Sequence, residues 1–363
     1  MVAAGWLLVA VIGLTACSIS TGADEQRDPD DERATRSDAA LGAAIDSDEP
    51  GCSGAVGVQG QVVWTGAQGV ADLESGAMLT PDTVFDIGKV TNQLTATAVL
   101  LLADEGELRI DDPVSTYLDA LPGWADDVTV TNLIHHTSGL PDYVDLLTDQ
   151  GFEPEDPTTQ TQALEALGTT AELEFAPGSM FRHSNSDYLL LAEVVRTATG
   201  SMLPQVLAER VFEPLGLDMT MDPSAQLPDK AISYRKVLGD YEMVDWTWTQ
   251  VGDGGIQATP SELVRWADNF RTGDLGGSTL QYAQLADAPT TSLSASERFD
   301  SERYGAGFFI GIDGGLFDLG EWEGYTTALE ITPDRRVAAA VACNSDWLVP
   351  SATATILTII WSS

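Results

Sequence analysis

The chain has 363 residues, with 56 Asp and Glu against 17 Lys and Arg, a formal net charge of -39 and 44% hydrophobic residues. That length suits one large core or two closely packed subdomains and excludes a structureless or fibrous protein. A surface this negative repels phosphate backbones and anionic headgroups, which argues against nucleic acid and against electrostatic membrane binding. Residues 18–50 hold ten acidic and three basic side chains, so most of the charge belongs to the folded part. It reads as a solvated acidic surface and not as evidence for a cationic substrate.

The first residues, Met1 to Gly5, precede an apolar run from Trp6 to Leu14 and the ending Leu14-Thr15-Ala16-Cys17. That ending resembles the lipobox of bacterial lipoproteins, in which the cysteine is acylated. The run is too short to span a bilayer and fits an export signal over residues 1–17. No Lys or Arg precedes it, a departure that points to a longer signal. The expected location is extracytoplasmic, with the chain lipid-anchored to the membrane through Cys17. Residues 18–50, rich in Asp24, Glu25, Asp28, Asp30, Asp31 and Glu32, offer little to a core and are expected to form a flexible acidic tether.

The domain is expected over residues 51–363. Ala55–Val58 and Gln61–Trp64, joined by Gln59-Gly60, read as a β-hairpin. Leu94 to Leu102 is apolar almost all round, so a helix there must be buried on every side. Asp104-Glu105-Gly106 ends it and Asp111-Asp112-Pro113 opens the next element. Helices joined by Pro- and Gly-containing loops are expected over roughly 111–270. Strands then return at Tyr304–Ile310, Leu316–Leu319, Thr326–Ile331 and Val337–Ala342, followed by a short apolar helix over Ala354–Trp361. Strands at both ends with helices between imply an α/β (α+β) fold, one mixed antiparallel sheet built from both termini with an inserted helical subdomain.

Five stretches, taken together, resemble the β-lactamase-related family of class C β-lactamases, D-alanyl-D-alanine carboxypeptidases and related esterases. They are Phe85-Asp86-Ile87-Gly88, Leu133 to Pro141 (Leu-Ile-His-His-Thr-Ser-Gly-Leu-Pro), Phe175-Ala176-Pro177-Gly178, Ser184-Asn185-Ser186-Asp187-Tyr188 and Gly252-Asp253-Gly254-Gly255-Ile256. The resemblance implies a penicillin-binding-protein-like fold whose first strand lies antiparallel to the last. Cys52 and Cys343 then meet at one end of the sheet, and a disulfide is expected, worth about 2–5 kcal/mol. Two free buried thiols are the alternative.

The same resemblance implies acyl transfer by a serine at the start of the buried helix with a lysine one turn later, the pattern Ser-x-x-Lys. Here the tetrad reads Lys89-Val90-Thr91-Asn92. An amide has no basic nitrogen, so Asn92 cannot serve as base. Thr91 and Thr95 are available hydroxyls, but neither has a lysine three residues on. The family's Tyr-x-Asn becomes His183-Ser184-Asn185, where His183 can still act as a base near neutral pH. The strand-edge motif, Lys-Thr-Gly or His-x-Gly, is best matched by Leu319-Gly320-Glu321, which puts leucine where the cation stood and Glu321 beside it.

Losing nucleophile, base and cation together reads as an abandoned reaction, because one such loss costs on the order of 10⁴–10⁶ in rate. The expected function is a pseudoenzyme lipoprotein with a binding or scaffold role at the cell envelope. Its cleft would be formed by Lys89, Asn92, His183, Asn185, Gly254, Gly255 and Glu321, and a peptidoglycan-like peptide or small molecule would be its ligand. The second reading is an active serine-hydrolase-type enzyme with a non-standard nucleophile and His183 as base. Lys89 either pairs with Glu321 or an anionic ligand, or has drifted and reaches solvent. Trp246, Trp248, Trp322 and Tyr325 are read as core first and as a cleft wall second. His135 and His136 belong to the loop before Ser138-Gly139-Leu140. With three histidines in the chain, no metal or cofactor is expected.

Overall fold

The computed structural model describes residues 28–43, 45–244, 247–286 and 301–363. The expected export signal, Cys17 and Trp246 lie outside them. In chain order the elements that position the site are α1 (Pro29–Gly42), β1 (Cys52–Val58), β2 (Gln61–Gln68), β3 (Phe85–Asp86), α2 (Thr91–Asp104), α3 (Tyr143–Asp149) and α4 (Asn185–Thr199). There follow β4 (Thr220–Met221), β5 (Tyr234–Val237), β6 (Asp240–Met243), β7 (Ile256–Ala258), α5 (Pro260–Ala267), β8 (Ser301–Tyr304), β9 (Phe309–Gly311), β10 (Leu316–Trp322), β11 (Tyr325–Ile331), β12 (Val337–Cys343) and α6 (Pro350–Ser362).

Seven strands form the main sheet in the order β8-β9-β10-β11-β12-β1-β2, every neighbouring pair antiparallel. The two ends of the chain meet in its middle, where β1 pairs with β12 and Cys52 stands opposite Cys343. These two cysteines form a disulfide.

Side chains alternate across the sheet, as strand geometry requires. Along β12, Ala338 and Ala340 face the large core around α2, whereas Val337, Ala339, Val341 and Cys343 face a smaller core beneath α6. Small residues let the helices come close. A Cβ at Gly57 would lie 2.3 Å from Val264 on α5. Helix α2 is buried along almost its whole length, from Thr91 to Leu102, so its polar side chains must find protein partners. Gln93 donates to Asp318 at 3.1 Å and accepts from the Trp266 indole at 3.1 Å, while Thr95 Oγ1 donates to Gly252 O at 2.7 Å.

Three expectations need correction. Residues 29–42 are not tether. Asp28 caps α1 by accepting from Asp30 N, and Asp30, Asp31 and Glu32 in the first turn suit the helix dipole. Leu41 is buried with Trp64 and Trp361. The Trp64 indole donates to Asp38 and the Trp361 indole to Ser37, each at 3.0 Å. Composition missed this because the partners of a short polar helix sit in two tryptophans far along the chain.

The run Tyr304–Ile310 is two strands, β8 and β9, broken at 305–308. Gly307 has φ +87° and its Cα presses on the first turn of α2, where a Cβ would lie 2.5 Å from Asn92 C and Gln93 N. Finally, residues 111–270 are not purely helical, since β4 and β3 each pair with β7 in one small sheet and β5 and β6 make a separate hairpin.

Candidate functional site

The site begins where β3 turns into α2. Asp86 accepts a hydrogen bond from Gly88 N at 2.9 Å through one carboxylate oxygen and from Gln257 Nε2 at 2.7 Å through the other. Burial pushes the Asp86 carboxyl up from its ordinary value. Gly88 takes φ +54°, and a single 3₁₀ turn, Gly88–Val90, delivers Lys89 to the mouth of α2.

Two glycines then bring β10 against this turn. A Cβ on Gly320 would stand 2.0 Å from Ile87 O, and one on Gly88 would stand 2.9 Å from Glu321 N. This close approach is what the glycine of the strand-edge motif is for, so Gly320 is its third residue. The motif therefore reads Asp318-Leu319-Gly320, one position earlier than expected. Leu319 is not the cation position, since it points to the opposite face and packs in the core beneath α6. Asp318 faces α2 and bonds Gln93. Asp318 thus takes the place that the family resemblance gives to a cation.

Lys89, Asn185, Glu321, Trp322 and Glu323 line an open pocket of about 320 Å³. Lys89 and Glu321 share it without an ion pair within 4 Å among the described residues. One turn along α2, Asn92 is 2% exposed. Its Nδ2 lies 3.5 Å from His136 Nε2, and its Oδ1 has no partner among the described residues. Asn185 starts α4 and is held by Asp142, through its N–H at 2.8 Å and its Nδ2 at 3.3 Å.

Three buried or half-buried acidic groups stand around Lys89. Asp253, in the Gly252 to Gly255 loop, accepts from the Tyr143 hydroxyl at 2.9 Å, and burial raises its pKa to about 7 against the opposing charge of Lys89. Asp318 is raised to about 8 by burial, offset by Gln93, the Leu319 N–H and Lys89. Glu323 is raised to about 8 by burial, with Arg235 opposing and Asp86 and Glu155 adding to the shift. The alternation Leu316, Asp318, Gly320 along one strand face was the available signal for Asp318. Asp253 lies in the Gly252 to Ile256 stretch and Glu323 just after the strand-edge motif, but neither position by itself shows that the carboxyl group is buried. Gly254 faces open space, and Gly255 packs on Pro223.

Behind the pocket, His136 Nδ1 lies 2.9 Å from Asp187 Oδ2 and Ser138 Oγ donates to Asp187 Oδ1 at 2.5 Å. The residue types are those of a hydrolytic triad, but the geometry is not. Serine and histidine both address the carboxylate and not each other, so the histidine does not activate the hydroxyl. His183 lies against His136 with ring centroids 4.5 Å apart and planes tilted by 42°, and its Nε2 has no partner among the described residues. Burial, followed by the charges of His136 and Lys89, holds its pKa well below the ordinary histidine range. Its imidazole is neutral at pH 7. His135 Nδ1 is 3.2 Å from Gly305 O. Of the aromatic candidates, Trp248 belongs to the large core and Tyr325 to a small cluster with Phe85, yet both also border a second pocket with Trp322.

A sheet joined from both termini, a buried helix entering from a glycine turn, and a glycine-bearing strand edge against that turn define the class of penicillin-recognising serine hydrolases. Residues 33–357 match the beta-lactamase family model, and the chain belongs to that family. It is 31% identical over 223 residues to a D-aminopeptidase of Brucella anthropi, covering 60% of this chain and 42% of that protein. A D-aminopeptidase of Brucella canis is 30% identical over 231 residues, 61% of this chain and 43% of its own. The chain thus spans less than half the length of these relatives. In fold it is similar to an octameric penicillin-binding protein homologue from Pyrococcus abyssi, with a TM-score of 0.76 and 22% identity over 92% of this chain and 76% of that one. A D-stereospecific amidohydrolase from Streptomyces sp. gives a TM-score of 0.73 at 22% identity over 91% and 99% of the two chains.

Proposed function

We propose that this chain is a catalytically degenerate member of its family that binds a ligand in the cleft without turning it over. The observation that carries the reading is Lys89 at the mouth of α2 with the amide of Asn92 one turn on, where acyl transfer needs an alcohol and an amine. An ammonium at that point is not an alcohol that a neighbour can deprotonate and acylate. Asp318 on the strand edge adds to the case, because a carboxyl group does not hold a substrate carboxylate.

The ligand class proposed is a peptide bearing D-amino acids, of the peptidoglycan kind, in keeping with the names of the relatives. Asn185 and the loop at Gly254 would offer polar contacts to it. We place the protein at the cell envelope as a lipoprotein, a reading supported by Leu14 to Cys17 and by a disulfide that suits an oxidising compartment.

One observation favours the rival reading of a hydrolase with an unusual nucleophile, namely the buried Nε2 of His183, which has no partner among the described residues and whose charged form burial disfavours. Assay of the purified chain against D-aminoacyl p-nitroanilides and an activated acetate ester separates the two. The degenerate reading expects release at the rate of the buffer, unchanged in His183→Ala. Turnover in the native chain that disappears in His183→Ala gives the site back to catalysis.

A further inference from the structure

Below the turn that joins β10 to β11 lies a second pocket of about 300 Å³, at the small end of the range for ligand sites. It shares Trp322, Glu323 and Tyr325 with the Lys89 pocket and is otherwise separate from it. Trp248, Trp322 and Tyr325 line part of it, and the polar side chains of Lys230, Glu323, Asp86 and Ser233 also border it.

Glu323 is an odd choice for its place. Trp322 pairs with Tyr325, so Glu323 and Gly324 form a two-residue hairpin turn, with φ +48° and +80°. Such turns favour Asn, Asp or Gly at the first position, because other residues are strained there. Glu323 bears that strain, and its Oε2 is also buried with no partner among the described residues. Its carboxyl is pushed up to about 8 by that burial.

Lys230 is the other uncommitted charge. Its Nζ lies 5.6 Å from the centre of the Tyr325 ring and makes no ion pair within 4 Å among the described residues. Burial lowers its pKa, with Asp86 and Asp222 opposing. Asp86 also lines the pocket but is 3% exposed, and each of its oxygens already accepts one hydrogen bond, from Gly88 or Gln257. The pocket therefore presents Lys230 and, besides the hydrogen-bonded Asp86, the carboxyl group of Glu323, with no ion pair between Lys230 and Glu323 among the described residues and three aromatic rings beside them.

We propose that this pocket binds a free α-amino acid with an apolar side chain, its carboxylate on Lys230, its ammonium on Glu323 and its side chain among Trp248, Trp322 and Tyr325. The site goes beyond the reading of the cleft and stands whether or not the Lys89 pocket turns anything over. Charge-assisted hydrogen bonds at both ends would fix the ligand's direction, and the rings would supply the apolar contact.

Calorimetric titration of the whole chain with D- and L-phenylalanine, phenethylamine and 3-phenylpropionate tests this. At least one phenylalanine enantiomer is expected to bind, and each half-ligand about tenfold or more weaker, the equivalent of about 1.4 kcal/mol. Glu323→Gln is expected to weaken phenylalanine and phenethylamine but not 3-phenylpropionate. Lys230→Met should weaken phenylalanine and 3-phenylpropionate but not phenethylamine. That crossed pattern does not arise from mere loss of structure. Absence of binding by both enantiomers at millimolar concentration, a half-ligand that binds as tightly as phenylalanine, or equal weakening of all ligands by both variants would overturn the proposal.

Discussion

The mouth of α2 and the shell around it differ in how completely their polar groups are bonded. At the mouth, Lys89 has no ion pair among the described residues, and Thr91 Oγ1 and Asn92 Oδ1 are buried without partners. In the shell, Asp86 holds Gly88 and Gln257, Thr95 holds Gly252, Tyr143 holds Asp253, and Asp187 holds both His136 and Ser138, so that each residue keeps at least one bond even though Asp253 Oδ1 and Gln257 Oε1 have no partner among the described residues. The shell sets the backbone path, so the fold depends on it whatever the chain does. On the degenerate reading proposed above, the unpartnered groups of the mouth follow from a change of the reacting side chains on a frame that stays the same. Buried polar groups without partners cost about 1–3 kcal/mol each, so the mouth is a place of stored cost and the shell a place of stability.

That contrast is sharpest at Asp187. Asp187→Ala strands His136 and Ser138 in a buried site and is expected to cost about 3–5 kcal/mol in denaturant unfolding. A cost below about 1 kcal/mol would erase the distinction drawn above. Next comes the disulfide. Replacing Cys52 and Cys343 by alanine opens a closure of 291 residues and is expected to cost about 2–5 kcal/mol, read as a lower midpoint in urea.

The third effect is pH dependence. Asp253, Asp318 and Glu323 have folded-state pKa values raised to about 7, 8 and 8, against about 4 for unfolded carboxyls. Between those limits the folded state binds more protons than the unfolded one, so stability falls as pH rises. The melting temperature is expected to decline from pH 5 to pH 9. Asp318→Asn, which keeps a partner for Gln93, should flatten that decline and stabilise the chain at pH 9 by on the order of 1–3 kcal/mol. A decline unchanged in the variant would remove Asp318 from this account.

The smallest effect belongs to the mouth itself. Lys89→Ala removes a cation from a helix N-terminus, where the dipole disfavours it, and is expected to leave stability within about 0.5 kcal/mol of the parent. A large loss on thermal melting would mean that Lys89 holds the structure together.

Much of the frame was legible in the sequence because it rests on short local runs. The short apolar runs of β1 and β12 and the all-round apolar run in α2 are local signals of strand and buried helix. The disulfide followed from the family resemblance. Helix α1 was not legible, since Trp64 and Trp361, which cover it, lie far off in the chain. At the site, Lys89, Asn92, Asn185 and His183 were named from motif spacing, and the structure brings Lys89 and Asn185 to one pocket. The register of the strand edge was misjudged by one residue, which replaces Leu319 by Asp318, because only the contact of Gly320 with Ile87 fixes it. Asp253 and Glu323 came from loops whose approach to α2 is tertiary.

The central claim is that the residue at the start of α2 forms no acyl bond. Intact-mass measurement after incubation with a fluorescent penicillin, and separately with an activated ester of a D-amino acid, addresses it directly. The predicted spectrum shows the unmodified chain at every time point. A mass increase matching the acyl group that builds and then decays would contradict the account.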